Sequence, residues 1–136
     1  MSAELKKKFD DLSKGLMELH RTLLMLEAKK LEQAAGKKLT PYELLGASLQ
    51  DPALAWLRVI SQLIVSIDTV IDETPVLNNQ DANRIANEVL TALEKPPGLI
   101  ATDFWSNYSV YLNSNADIIV MHSKVKTILT GLRPTN

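Results

Sequence analysis

The sequence predicts an all-α fold, an antiparallel bundle of four principal helices with two short connecting helices, organised as a single domain over residues 1–136. Three observations carry that expectation. Apolar residues recur at helical spacing along four long segments, and helix start and stop signals fall between those segments. The one stretch rich in β-branched residues, from Ala53 to Ile71, runs 19 residues without glycine or proline, well beyond ordinary strand length.

The first helix is expected from Ser2 or Ala3 to Ala35. Its apolar residues Leu5, Phe9, Leu12, Leu16, Leu19, Leu23 and Leu26 advance in steps of four and three, the signature of one buried stripe. Gly36 follows as a left-handed stop. Two polar residues interrupt the face: Glu27 falls between Leu23 and Leu31, and His20 beside Leu16 and Leu24. Burying either without a partner costs a few kcal/mol, roughly what one core leucine contributes, so each is expected to find a partner on another helix. Lys6, Lys7 and Lys8, offset by Asp10 and Asp11, are expected in solvent.

Thr40, Pro41 and Glu43 form a capping box with proline at the first helical position, opening a short helix through about Leu49. Asp51 and Pro52 repeat the start signal for a second long helix of about 21 residues, with Ala53, Leu57, Ile60, Ile64, Ile67 and Ile71 along its seam. Pro75 and the pair Asn78, Asn79 break the chain after it. A third amphipathic helix is expected from about Gln80 to Leu93, carrying Ala82, Ile85, Ala86, Val89, Leu90 and Leu93 and closed by Pro96, Pro97 and Gly98. Thr102 suits the cap of a short aromatic helix with Phe104, Trp105, Tyr108 and Tyr111. After a turn at Asn113 to Asn115, Ser114 and Asp117 read as a capping box for a last helix with Ile118, Met121, Val125, Ile128 and Leu132, ending between Gly131 and Pro134.

Composition narrows the function classes. A formal net charge of −1, from 15 basic and 16 acidic residues, offers no field for a phosphate backbone or an anionic membrane, so neither nucleic acid nor membrane is an expected partner. The absence of cysteine removes disulfides, thiol nucleophiles and thiolate metal sites, and with a start lacking an apolar signal region it points to the cytoplasm. Arg58, Gln62 and Asp68 interrupt the most apolar segment, which reads as an amphipathic helix in water. The five glycines stand apart, so no phosphate-cradling loop and no nucleophile elbow is present.

The residues that could carry chemistry are few. His20 and Glu27 lie seven residues apart, about 10.5 Å along one helix, too far to bond each other. Arg58 and Asp68 on the second long helix and His122 on the last are their candidate partners, with a Glu27–Arg58 ion pair the best chemical match. One reading makes these five residues a buried polar network that sets helix register. The other gives them a metal or a proton to handle, but paired Glu-x-x-His segments and His-Glu-x-x-His are both missing, so no metal set and no cofactor is expected. Phe104, Trp105 and Tyr108 can stack a flat ligand, yet at helical spacing they suit an anchor that pins the short helix to the bundle.

Three blocks resemble a group of small, all-helical bacterial proteins of uncharacterised function. They are Leu19-His20 with Leu23-Leu24 and Glu27; Asp51-Pro52 with Trp56-Leu57-Arg58, Ser61, Leu63-Ile64 and Ile67-Asp68; and Phe104-Trp105 with Tyr108, His122 and Val125. The resemblance spans the first helix to the last. It implies the helical fold and marks His20, Glu27, Arg58, Asp68 and His122 as special positions, and it implies no activity.

The inventory is rich in helix-packing residues and poor in catalytic motifs. The expectation is therefore a non-catalytic interaction or regulatory module that acts on an unknown protein partner or on itself; the alternative is a small enzyme or metal-binding bundle using the His20/Glu27 face. A first helix of roughly 48 Å outruns a second of roughly 31 Å. Its N-terminal half, with Leu5, Phe9 and Leu12, is expected to stay uncovered and to pair with a second copy as a homodimer.

Overall fold

A computed structural model describes residues 2–74, 76–94 and 102–132. They form six α-helices: α1 (Ser2–Ala35), α2 (Pro41–Gln50), α3 (Arg58–Glu73), α4 (Asn79–Leu93), α5 (Asp103–Ser114) and α6 (Ala116–Leu132), with a 3-10 helix (Pro52–Leu57) leading into α3. The expected breaks at Pro75, Pro96, Pro97, Gly98 and Pro134 lie outside the described residues.

α1 is the spine. Phe9, Leu12, Leu16, Leu19 and Leu23 are fully buried, the stripe being wedged between α3 and α6. Both neighbours run antiparallel to it: Ser13 bonds Asp68 while Glu27 bonds Trp56 on one side, and Lys8 reaches Gly131 while Gly15 lies against Val125 on the other. α4 packs on α3 and α6, and α5 on α6 and the 3-10 helix. Gly36 ends α1 at φ +72°, its N–H bonded to the Glu32 carbonyl at 2.8 Å, a backbone position that glycine takes without strain.

Local signals account for most boundaries. Thr40 accepts from Glu43 N at 3.1 Å and the Glu43 carboxylate accepts from Thr40 N at 3.1 Å, completing the capping box of α2. Asn78, read from sequence as part of a break, is itself the N-cap of α4, paired with Asp81 in a second such box. The cap of α6 is Asn115 rather than Ser114. Asn115 has the extended backbone a cap requires, and its Oδ1 accepts from Ile118 N at 3.2 Å, whereas Ser114 is still helical and bonds back to Val110.

The second long helix is not uniform. Asp51 caps it as the sequence implies, but its first six residues wind as a 3-10 helix, and α geometry begins only at Arg58. At three residues per turn, Leu54 and Leu57 eclipse each other, and Trp56 is buried beside them. By length and composition, Pro52–Glu73 is the one described segment able to cross a membrane. Here Leu54, Trp56, Leu57, Ile60, Leu63, Ile67 and Val70 are buried within the bundle.

The overhang is at the opposite end of α1 from the one expected. Phe9 and Leu12 are fully buried within the chain and Leu5 is half-buried, so they offer no free apolar face to a second copy. The C-terminus of α6 reaches them: Leu129 and Leu132 are buried, and the Lys8 ammonium donates to the Gly131 carbonyl at 3.1 Å. Lys8 therefore caps α6, favourably placed at the negative end of that helix, and is not a purely solvated lysine. At the C-terminal end of α1, Gln33, Ala34 and Ala35 are all exposed.

Candidate functional site

The face that α1 turns toward α3 carries polar residues at a strict interval of seven: Ser13, His20 and Glu27. Each step is about 10.5 Å along the helix, so the three form a ladder crossing the leucine stripe. The outer rungs are closed by protein partners. Ser13, 3% exposed, donates through Oγ to Asp68 Oδ1 at 2.9 Å. Glu27, 8% exposed, accepts from the indole Nε1 of Trp56 at 3.1 Å, with Lys30 Nζ 3.8 Å from its other oxygen.

Glu27 therefore does not pair with Arg58. Trp56, four residues before the buried Ile60, shares its face and meets Glu27, whereas Arg58, two residues before Ile60, turns about 200° away from it and stays exposed, where its guanidinium donates to the Leu49 carbonyl in the last turn of α2. The five expected positions do not join into one network: Glu27 pairs with Trp56, Asp68 with Ser13 and His122 with Tyr108, and only His20 and Arg58 share a site. Ser13 and Trp56 were the partners that residue type alone did not single out. The heptad spacing of Ser13, His20 and Glu27 was the available signal.

His20 is the open rung. It lines a cleft of about 340 Å³ between α1, α2 and α3, with Leu24, Ser48, Leu49, Leu54, Leu57, Arg58, Ser61 and Gln62. Its imidazole has no hydrogen-bond partner among the described residues, and burial holds its pKa below the ordinary histidine value, so the ring is neutral at pH 7. A neutral imidazole offers one donor and one acceptor.

The aromatic residues lie on the other side of Glu27. Phe104, Tyr108 and Tyr111 are buried and Trp105 is half-buried; Trp56 lies 5.8 Å from Phe104 and stacks on Tyr111 at 6.2 Å, ring centre to ring centre. Lys30 sits over the Tyr111 ring at 4.7 Å. Tyr108 hydroxyl and His122 Nδ1 are 2.7 Å apart. Burial drives the phenol pKa upward, and burial, then Lys126, with Glu94 opposing, holds the imidazole pKa low. Both groups are thus neutral at pH 7; because a phenol is the stronger acid and an imidazole nitrogen the stronger base, the hydroxyl is assigned as donor to Nδ1, with the proton of His122 on Nε2. These contacts pin α5 to α6 and to the 3-10 helix.

Among the described residues, no group of three His, Cys, Asp or Glu side chains is arranged to hold a metal ion, and the His20/Glu27 face divides into a closed rung and an open cleft. Beside the cleft, α2 has no buried residue at all. Tyr42, Leu45 and Leu49 are 85%, 58% and 63% exposed, and at 100° per residue they form one stripe together with Gly46. Comparison with protein-family models, with curated proteins and with solved structures finds no match to this chain.

Proposed function

We propose that the protein is a non-catalytic interaction module that self-associates through the exposed face of α2. The observation that carries this reading is the exposed stripe of Tyr42, Leu45 and Leu49 on a helix none of whose residues is fully buried and whose opposite side, through Ala47, packs on the core. Gly46 adds to it. A mid-helix glycine costs about 1 kcal/mol relative to alanine, and a Cβ at Gly46 meets nothing within 4 Å, so packing within the chain gives no reason for it. Close approach of a second helix does. The one charged residue of α2, Glu43, is occupied by Lys37 at 3.3 Å, so two copies of this face meet across a two-fold axis without like-charge repulsion.

Sedimentation velocity across the micromolar range tests this. The wild type is expected to dimerise, and Tyr42→Glu with Leu45→Glu to give a folded monomer, since neither side chain contributes to the core. Gly46→Ala separates the interface from the fold: it raises monomer stability by about 0.5–1 kcal/mol through helix propensity while weakening the dimer. A wild-type chain that stays monomeric throughout this range refutes the proposal.

A further inference from the structure

We propose that the cleft between α1, α2 and α3 is a binding site for a small amphipathic carboxylate, with Arg58 and His20 taking the carboxylate and the leucines of the cleft taking its apolar tail. The site adjoins the α2 stripe and shares Leu49 with it, but the inference does not rest on self-association.

The ladder on α1 gives the first reason. Ser13 and Glu27 each face a side chain that completes them, at 2.9 Å and 3.1 Å, whereas His20 between them faces open space of about 340 Å³. In the antiparallel register that pairs residue 13 with 68 and 27 with 56, the residues opposite His20 are Ser61 and Gln62, which line the far side of the cleft and do not reach the imidazole. A half-buried polar ring between two closed rungs is the position where a bound molecule completes the set.

Charge and shape give the second. Arg58 carries the only formal charge among the residues lining the cleft, and no acidic side chain lines it. Arg58 forms no ion pair with a described carboxylate. Its contact is with the Leu49 carbonyl, which leaves most of its five N–H donors free. Ser48 and Ser61 spend their protons on the carbonyls of Leu45 and Arg58, so they bring no competing donor set for a dianionic phosphate. One guanidinium with one neutral imidazole N–H matches a single carboxylate. The remaining wall is leucine from three elements, and the volume sits at the lower end of the roughly 300–1,000 Å³ usual for ligand pockets, which suits a short acyl or aryl tail.

The probe is octanoate below its micelle concentration, titrated into the full chain and followed by NMR of the two histidine side chains, with 1-octanol and octylamine as controls. Octanoate is expected to shift the His20 resonances saturably and leave those of His122 in place, and to bind at least about tenfold more tightly than either control. Arg58→Gln is expected to weaken octanoate about tenfold and leave 1-octanol unchanged. Because Arg58 also holds the end of α2, Ser61→Leu is the second variant: it fills the cleft with Arg58 intact and is expected to abolish the His20 shifts. Absence of saturable octanoate binding, equal affinity for octanoate and 1-octanol, or persistence of the His20 shifts in Ser61→Leu overturns the proposal.

Discussion

The Glu27–Trp56 contact can be isolated by a double-mutant cycle. Glu27→Ala removes a carboxylate that is 8% exposed and leaves the Trp56 N–H without its acceptor; Trp56→Phe keeps an aromatic ring against Phe104 and Tyr111 but deletes the donor. A hydrogen bond to a charged group contributes about 1.5–3 kcal/mol net. At 3.1 Å this bond is longer than the usual charge-assisted range, which places the expected coupling near the lower limit, at about 1.5–2 kcal/mol. Glu27→Gln keeps an oxygen acceptor and is expected to cost under about 1 kcal/mol. The parallel cycle with Arg58→Ala is expected to be additive within about 0.5 kcal/mol, because Arg58 bonds the Leu49 carbonyl and not Glu27. Urea unfolding followed by circular dichroism measures all four corners without depending on tryptophan fluorescence. Coupling below about 0.5 kcal/mol between positions 27 and 56, or above about 1 kcal/mol between 27 and 58, would refute this assignment.

Phe9→Ala is expected to destabilise the folded chain by about 3–5 kcal/mol, as for any fully buried phenylalanine; a loss under about 1 kcal/mol in denaturant unfolding contradicts the burial of the N-terminal half of α1. Tyr108→Phe removes the donor to His122 Nδ1 and is expected to cost about 0.5–1.5 kcal/mol and to let the His122 pKa rise, since that hydrogen bond favours the neutral ring; an NMR titration with an unmoved or lowered pKa counts against it. Stability is also expected to fall as pH drops through about 6.5. Burial depresses the pKa of His20 and of His122 in the folded chain, so below the unfolded imidazole value the unfolded chain takes up protons that the folded chain refuses, and stability present above that pH is lost toward the folded values. The double variant His20→Gln, His122→Gln should flatten this slope between about pH 7.5 and 5.5, and an unchanged slope assigns it to other groups.

The sequence by itself determined the helices and most of their ends, because those are local properties. A seven-residue apolar rhythm, a Thr40–Glu43 box and a glycine at 36 act over distances of one or two turns and need no distant contact to be recognised. It also showed that His20 and Glu27 stand on the core face of α1, since helical phase follows from residue number. What each of them meets was decided only by tertiary structure. The antiparallel register that sets Ser13 against Asp68 sets Glu27 against Trp56, and Arg58, two residues further along, turns to the exposed side of its helix. Helix length likewise could not show which end of α1 is covered. That depends on the register of α6, whose last turn reaches Lys8 and shields Phe9 and Leu12. Register between helices is settled by packing contacts far apart in the chain, so the same packing that closed two rungs of the ladder left the cleft at His20 open.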